Sequence, residues 1–159
     1  MKLYIRQKVF SWRDRFAVID ESERECWFAQ GEIFTFGRKL HVYDTSGAEV
    51  AFIWKKLLSL LPRYFIEIGN SQFEFVKELT LLRPRYTIRN LDWVADGNFF
   101  QHDYSVSSNY GEVMHISKAW LTWGDFYELD IYDPQNELLC LCVALAIDCI
   151  NADAAAASS

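Results

Sequence analysis

The chain of 159 residues has the length of one compact domain, and with 51% hydrophobic residues, 24% charged residues and only 10 Pro plus Gly it excludes intrinsic disorder, collagen-like repetition and a long flexible linker. Sixteen Lys plus Arg against 22 Asp plus Glu leave a formal charge of −6, which argues against a surface built throughout to bind nucleic acid. The aromatic share of 16% favours β structure, because rings pack well on a pleated sheet.

The N-terminal stretch MKLYIRQKVFSWRDR interleaves Lys2, Arg6, Lys8, Arg13 and Arg15 with its apolar residues. No apolar core of a secretory signal can be drawn through it, so a cytoplasmic protein is expected. Residues 5–18 (IRQKVFSWRDRFAV) read as a strand, a turn at Asp14 and a returning strand, since Asp hydrogen-bonds its own backbone in turns. GEIF at 31–34 and the alternating LHVYD at 40–44 follow as further strands. Residues 53–66 (IWKKLLSLLPRYFI) predict strand, turn at Pro62 and strand, and residues 75–88 (FVKELTLLRPRYTI) predict the same around Pro84. Within 54–61 and 76–82 apolar residues occupy both parities. This is read as packing, with both sheet faces covered or a bulge shifting the register, in preference to an exposed apolar binding surface. GNFF at 97–100 and the alternating DYSVS at 103–107 precede a last strand-turn-strand at 116–129 (ISKAWLTWGDFYEL), turning at Asp125.

Asp133 and Pro134 are a good helix cap and a good first helical residue, and they open a predicted helix over about 135–150. Residues 138–147 are apolar at every position, so this helix must be buried all round. Ten residues rise only about 15 Å against a hydrocarbon core of about 30 Å, and no transmembrane segment is expected. Residues 152–159 read as a flexible tail.

The four strand-turn-strand windows align without gaps: their third residues are Gln7, Lys55, Lys77 and Lys118, and their twelfth are Phe16, Tyr64, Tyr86 and Tyr127. Together with the GEIF and GNFF echo they divide the chain into two related halves, about 5–68 and 75–132, each a hairpin, two strands and another hairpin. The expected fold is therefore mainly β: a single domain over 1–151 in which about twelve antiparallel strands close into a barrel around the hydrophobic C-terminal helix.

YIRQKVFSWRDRFAVID, GEIFTFGRKLHVYD, KKLLSLLPRYFIEI and SKAWLTWGDFYELDIYDPQNELLCLCVALAIDC, taken in order, resemble the LURP-one-related family, whose bacterial and plant members share a tubby-like fold. The resemblance spans nearly the whole chain and implies a twelve-stranded barrel around a central hydrophobic helix. Its superfamily includes the phosphoinositide-binding tubby domain and the phospholipid scramblases, which points toward lipid. No tubby phosphoinositide motif matches here residue by residue.

No G-x-S-x-G elbow, phosphate-binding glycine loop, H-E-x-x-H or dinucleotide fingerprint is present, and the chain reads as a non-enzyme without cofactor. Cys26, Cys140, Cys142 and Cys149 fit neither a disulfide framework nor a metal site and read as reduced, packed thiols. An enzyme would need a cleft joining groups such as His102, Asp103 and His115. Asp148 reads either as a buried carboxylate with a raised pKa or as a group at the barrel mouth, solvated or hydrogen-bonded. The one positive signal is a basic cluster, Lys55, Lys56, Arg63, Lys77, Arg83 and Arg85, expected to bind anionic lipid headgroups; residues 1–90 hold 15 bases against 11 acids, whereas residues 91–159 hold Lys118 alone against 11 acids. The competing reading has Arg63 and Arg85 pinning neighbouring strands while Tyr64 and Tyr86 pack on the barrel. The expected function is a binding or scaffold domain, peripheral on an anionic membrane, with a carrier of a small apolar ligand or a protein–protein scaffold as alternatives.

Overall fold

The computed structural model of the chain describes residues 1–6, 15–32, 36–121 and 124–159. Twelve antiparallel strands close into one barrel: β1 (Lys2–Arg6), β2 (Phe16–Asp20), β3 (Glu25–Gly31), β4 (Lys39–Asp44), β5 (Glu49–Lys55), β6 (Arg63–Ile68), β7 (Ser71–Glu78), β8 (Arg85–Ile88), β9 (Trp93–Asn98), β10 (Asp103–Ser108), β11 (Gly111–Leu121) and β12 (Gly124–Ile131). Each strand pairs with its chain neighbour, and β1 pairs with β12 from Lys2↔Asp130 to Arg6↔Phe126, so the sheet keeps no open edge. A turn of 3-10 helix at Pro134–Asn136 leads into α1 (Glu137–Ala157), whose apolar stretch lies inside the barrel.

Alternation builds the wall. Leu3 and Ile5, Leu40 and Val42, Ala51 and Ile53, Tyr64 and Ile66, and Leu129 and Ile131 are buried, while the residues between them are more exposed. Twelve strands enclose more room than the side chains of the wall can fill, and α1 takes it: every residue from Leu139 to Ile150 is buried. Small side chains at Cys140, Cys142, Ala144 and Ala146 let the helix backbone fit among the aromatic residues of the wall. By length and composition Pro134–Ala157 could cross a membrane, but two thirds of its apolar stretch is buried in the protein. Asp133 and Pro134 open a turn of 3-10 helix in place of the α-helix itself, the Asp133 carboxylate accepting from the Gln135 N–H at 3.1 Å, and α1 follows from Glu137. It also outruns the expected end near 150. Residues 152–157, read from sequence as a flexible tail, are its last turns, because Asp153 is held there by groups from the wall and the alanines beyond it favour helix.

The windows at 5–18, 53–66, 75–88 and 116–129 fall on β1/β2, β5/β6, β7/β8 and β11/β12. The Asp14 turn and part of GEIF lie outside the described residues. In the second and third windows strand structure stops early, β5 at Lys55 and β7 at Glu78, leaving loops at 56–62 and 79–84. The expectation that their leucines pack against covered sheet faces or across a bulge is therefore corrected: β5, β6, β7 and β8 pair without a register shift, and the leucines lie beyond the ends of the strands. At Gly97 (φ +138°) a Cβ would come within 2.6 Å of the Tyr104 Cα, so glycine is what lets β9 and β10 pair there.

Because successive strands alternate in direction, the connections following odd-numbered strands gather at one end of the barrel. α1 enters at the opposite end, after β12, and its last turns reach the first.

Candidate functional site

Among the described residues eleven large apolar side chains are exposed, and eight of them, Phe36, Leu57, Leu58, Leu60, Leu79, Leu81, Leu82 and Phe100, sit in connections at this one end. Leu58, Leu60, Leu79, Leu81 and Leu82 are each at least 85% exposed. Burying a leucine gains about 1.5 to 3 kcal/mol, so five left in water are a cost that folding does not recover. Local chemistry sets the loops. Leu58 adopts a left-handed conformation (φ +57°), the Ser59 hydroxyl donates to the Leu61 carbonyl, and the Thr80 hydroxyl donates to the Arg83 carbonyl. The two hairpins are neighbours, since β6 pairs with β7 and the Lys77 N–H donates to the Pro62 carbonyl at 3.1 Å.

The six cations singled out from sequence divide into two groups at this end. Lys55 is spent on Asp153 (2.8 Å) and Arg63 on Glu74 (3.1 Å), which Arg89 also approaches at 3.6 Å. Lys56, Lys77, Arg83 and Arg85 make no ion pair among the described residues, and Lys56, Arg83 and Arg85 are exposed. Tyr64 and Tyr86 are buried in the barrel, so the Pro-Arg-Tyr corners place an Arg outside and a Tyr inside, as the strand period requires. Between the two hairpins runs a groove of about 550 Å³, lined by Lys56, Leu58, Leu60, Arg63, Lys77 and Leu79 among others.

This end rests on α1. The Asp153 carboxylate accepts from Arg38, from Lys55 and from the Tyr64 hydroxyl at 3.1 Å. Burial pushes its pKa up, but hydrogen bonds and charge from Lys55 and Arg38 together outweigh this and hold it below 3.8. Asn151 donates to the Phe99 carbonyl at 2.9 Å. Asp148 is only 3% exposed, which combines the two sequence readings: it is both buried and hydrogen-bonded, to His102 Nε2 at 2.9 Å and to the Tyr127 hydroxyl. Burial holds its pKa above the ordinary 3.8, with the hydrogen bond and charge of His102 opposing. His102, itself left-handed at φ +52°, stacks on the Tyr127 ring at 4.5 Å. The Tyr104 hydroxyl and His102 Nδ1 are buried and have no hydrogen-bond partner among the described residues.

Of His102, Asp103 and His115, the structure brings the last two together and separates His102 from them. His102 turns inward to Asp148, while His115 stays on the outer wall, 3.6 Å from the exposed Asp103 and 2.9 Å from the Ser105 hydroxyl. Ser105 and His115 form part of a nucleophile-and-base arrangement, but it lies on an open face of β10 and β11, and Ser105 donates to Glu112. Burial pushes the Cys140 thiol up to about 12 and raises those of Cys142 and Cys149, so these are packing groups in the helix core.

Exposure of these leucines is the reading that the sequence ranks second to packing, and the signal for it is two short leucine runs, each closed by Pro next to Arg and lacking an acidic residue after Glu78 or before Glu67.

Comparison with known proteins agrees with the architecture. The LURP-one-related family profile matches residues 1–148. The uncharacterized protein YxjI of Bacillus subtilis (strain 168) is 35% identical over 151 residues, covering 94% of this chain and 93% of that protein. An X-ray structure of a protein from Arabidopsis thaliana superposes with a TM-score of 0.60 over 92% of this chain and 89% of its own at 13% identity, a likeness of fold.

Proposed function

The chain belongs to the LURP-one-related family, and from that premise we propose that it is a non-enzymatic binding domain that docks peripherally, from the cytoplasmic side, on anionic membrane through the loop end of its barrel. The observation that carries this reading is the set of four cations, Lys56, Lys77, Arg83 and Arg85, which among the described residues have no ion-pair partner around the same two loops while Lys55 and Arg63 are satisfied within the protein. Cations held near a membrane surface each contribute about 1 kcal/mol toward anionic lipid, and the Arg forks suit phosphate oxygens. The carrier alternative is less well supported, because α1 occupies the barrel interior that a ligand would need.

Co-sedimentation with phosphatidylglycerol-containing and pure phosphatidylcholine vesicles tests the proposal. Binding to the anionic vesicles that weakens between about 0.05 and 0.15 M salt, and that falls in a Lys56→Gln, Lys77→Gln, Arg83→Gln, Arg85→Gln variant, supports it. Equal binding by that variant and the wild type would remove the site.

A further inference from the structure

We infer that the two leucine-tipped loops, 56–62 and 79–84, insert below the lipid headgroups as a pair of apolar wedges, so that docking has a hydrocarbon component separable from headgroup attraction. The inference rests on the membrane reading above and specifies how that end meets the bilayer.

Four features carry it. The leucines are concentrated at the tips: Leu58, Leu60, Leu79, Leu81 and Leu82 are fully or almost fully exposed, and among the described residues no surface covers them. The polar hydroxyls of the tips are already used, Ser59 on the Leu61 carbonyl and Thr80 on the Arg83 carbonyl. Taking these side chains out of water therefore leaves neither hydroxyl donor unsatisfied. The loops hold no acidic residue, and the charges that flank them are mainly cationic: Lys56 opens the first, Arg83 and Arg85 close the second, and Lys77 stands just before it. Lys and Arg at the base of an apolar tip keep their heads at phosphate level while their stems lie along the hydrocarbon boundary. Finally, the two tips belong to hairpins joined through the β6–β7 pairing and through the Lys77 to Pro62 hydrogen bond, so they enter together on a supported base.

Charge selects the occupant. Two copies of the chain meeting tip to tip would oppose Lys56, Lys77, Arg83 and Arg85 of each partner, an arrangement that like-charge repulsion disfavours. An anionic bilayer offers those cations their complement and the leucines a hydrocarbon phase.

The test uses the full chain with Cys26→Ser and Leu82→Cys, the new thiol carrying an environment-sensitive nitrobenzoxadiazole dye; Cys140, Cys142 and Cys149 are buried and escape labelling. Vesicles of phosphatidylglycerol and phosphatidylcholine are prepared with and without bromine on the acyl chains. Insertion predicts a blue shift on binding and quenching by the acyl bromines. It also predicts that Leu58→Ser with Leu60→Ser, or Leu81→Ser with Leu82→Ser, weakens vesicle affinity by about tenfold or more while leaving the thermal midpoint unchanged. Salt-sensitive binding with a water-exposed dye and unchanged affinity of the serine pairs would overturn insertion and leave headgroup docking standing. No binding to anionic vesicles at low salt, or self-association abolished by the serine pairs, would overturn both.

Discussion

Replacing Asp148 with alanine is the sharpest test of how α1 is held in the barrel. The substitution strands two groups that this carboxylate satisfies, the Tyr127 hydroxyl and His102 Nε2, next to a Tyr104 hydroxyl that has no partner to share. A buried polar group left without its partner costs about 1 to 3 kcal/mol, and losing one member of a buried charged network costs about 3 to 5. Relief of the carboxylate's own burial offsets part of this, and a net loss of about 2 to 4 kcal/mol is expected, or a midpoint lower by about 5 to 15 °C. Urea denaturation at pH 7 measures it, with Asp148→Asn as the comparator that keeps volume and an acceptor. The pH dependence has a definite sign. Because the folded pKa of Asp148 lies above 3.8, raised by burial, its contribution to stability is fully present below 3.8 and is lost as pH rises through the folded value. Wild type should thus lose ground to Asp148→Asn as pH rises through that window. An alanine variant within about 0.5 kcal/mol of wild type, or a wild-type-minus-Asn difference flat from pH 3.5 to 7, would refute the reasoning.

Gly97→Ala, with its Cβ 2.6 Å from the Tyr104 Cα, is expected to cost about 2 to 4 kcal/mol in chemical denaturation, whereas Gly47→Ala, at φ +85° in open space, should cost about 1. Asp153→Ala releases Arg38, Lys55 and the Tyr64 hydroxyl; because Arg38, Lys55 and Asp153 itself are partly exposed the loss should be only about 1 kcal/mol, read most clearly as faster hydrogen exchange over residues 151–157. The depressed pKa of Asp153 means that this contribution is present above 3.8 and disappears as pH falls through the folded value, so acid should reproduce the faster exchange. A thiol-reactive dye at pH 8 should label Cys26 alone in the folded protein, and mass spectrometry showing modification of Cys140, Cys142 or Cys149 before unfolding would contradict the buried helix.

The features legible in the sequence were those carried by local pattern. Alternation in LHVYD and DYSVS, proline and aspartate at turns, and a segment without a polar face each have a near-neighbour cause, and a helix apolar on all sides can be buried only by something that surrounds it. What escaped depends on partners far along the chain. Lys55 looked free because its carboxylate, on Asp153, lies 98 residues away, whereas the reading of Arg63 as a group pinning neighbouring strands holds, with Glu74 as its partner across the β6–β7 pairing. His102 stood beside Asp103 in sequence, yet its left-handed backbone turns the ring inward to Asp148, 46 residues on. The leucines failed for a different reason. Apolar composition reports what a residue prefers and says nothing about whether the fold supplies a surface, and here β5 and β7 end before those residues are reached.

Closure of the barrel bears directly on where such a protein can interact. With β1 sealed to β12 there is no strand edge on which a partner could add, so recognition must use the outer wall or the ends. The outer wall is patterned with cross-strand pairs that satisfy one another, such as Lys2 with Glu128, His41 with Glu32 and Arg63 with Glu74. At the end where α1 finishes, the balance differs: the helix holds the β9–β10 connection through Asp148 and Asn151 and the base of the first leucine loop through Asp153 and Lys55, while the two leucine loops carry side chains that nothing among the described residues covers. Strain or poor packing does not account for that contrast, because shortening the two loops or replacing their leucines with polar residues would lower the apolar cost without disturbing a strand pair. The arrangement is coherent if the missing surface is supplied from outside, and the cations at the same end that pair with no described residue give that surface a sign.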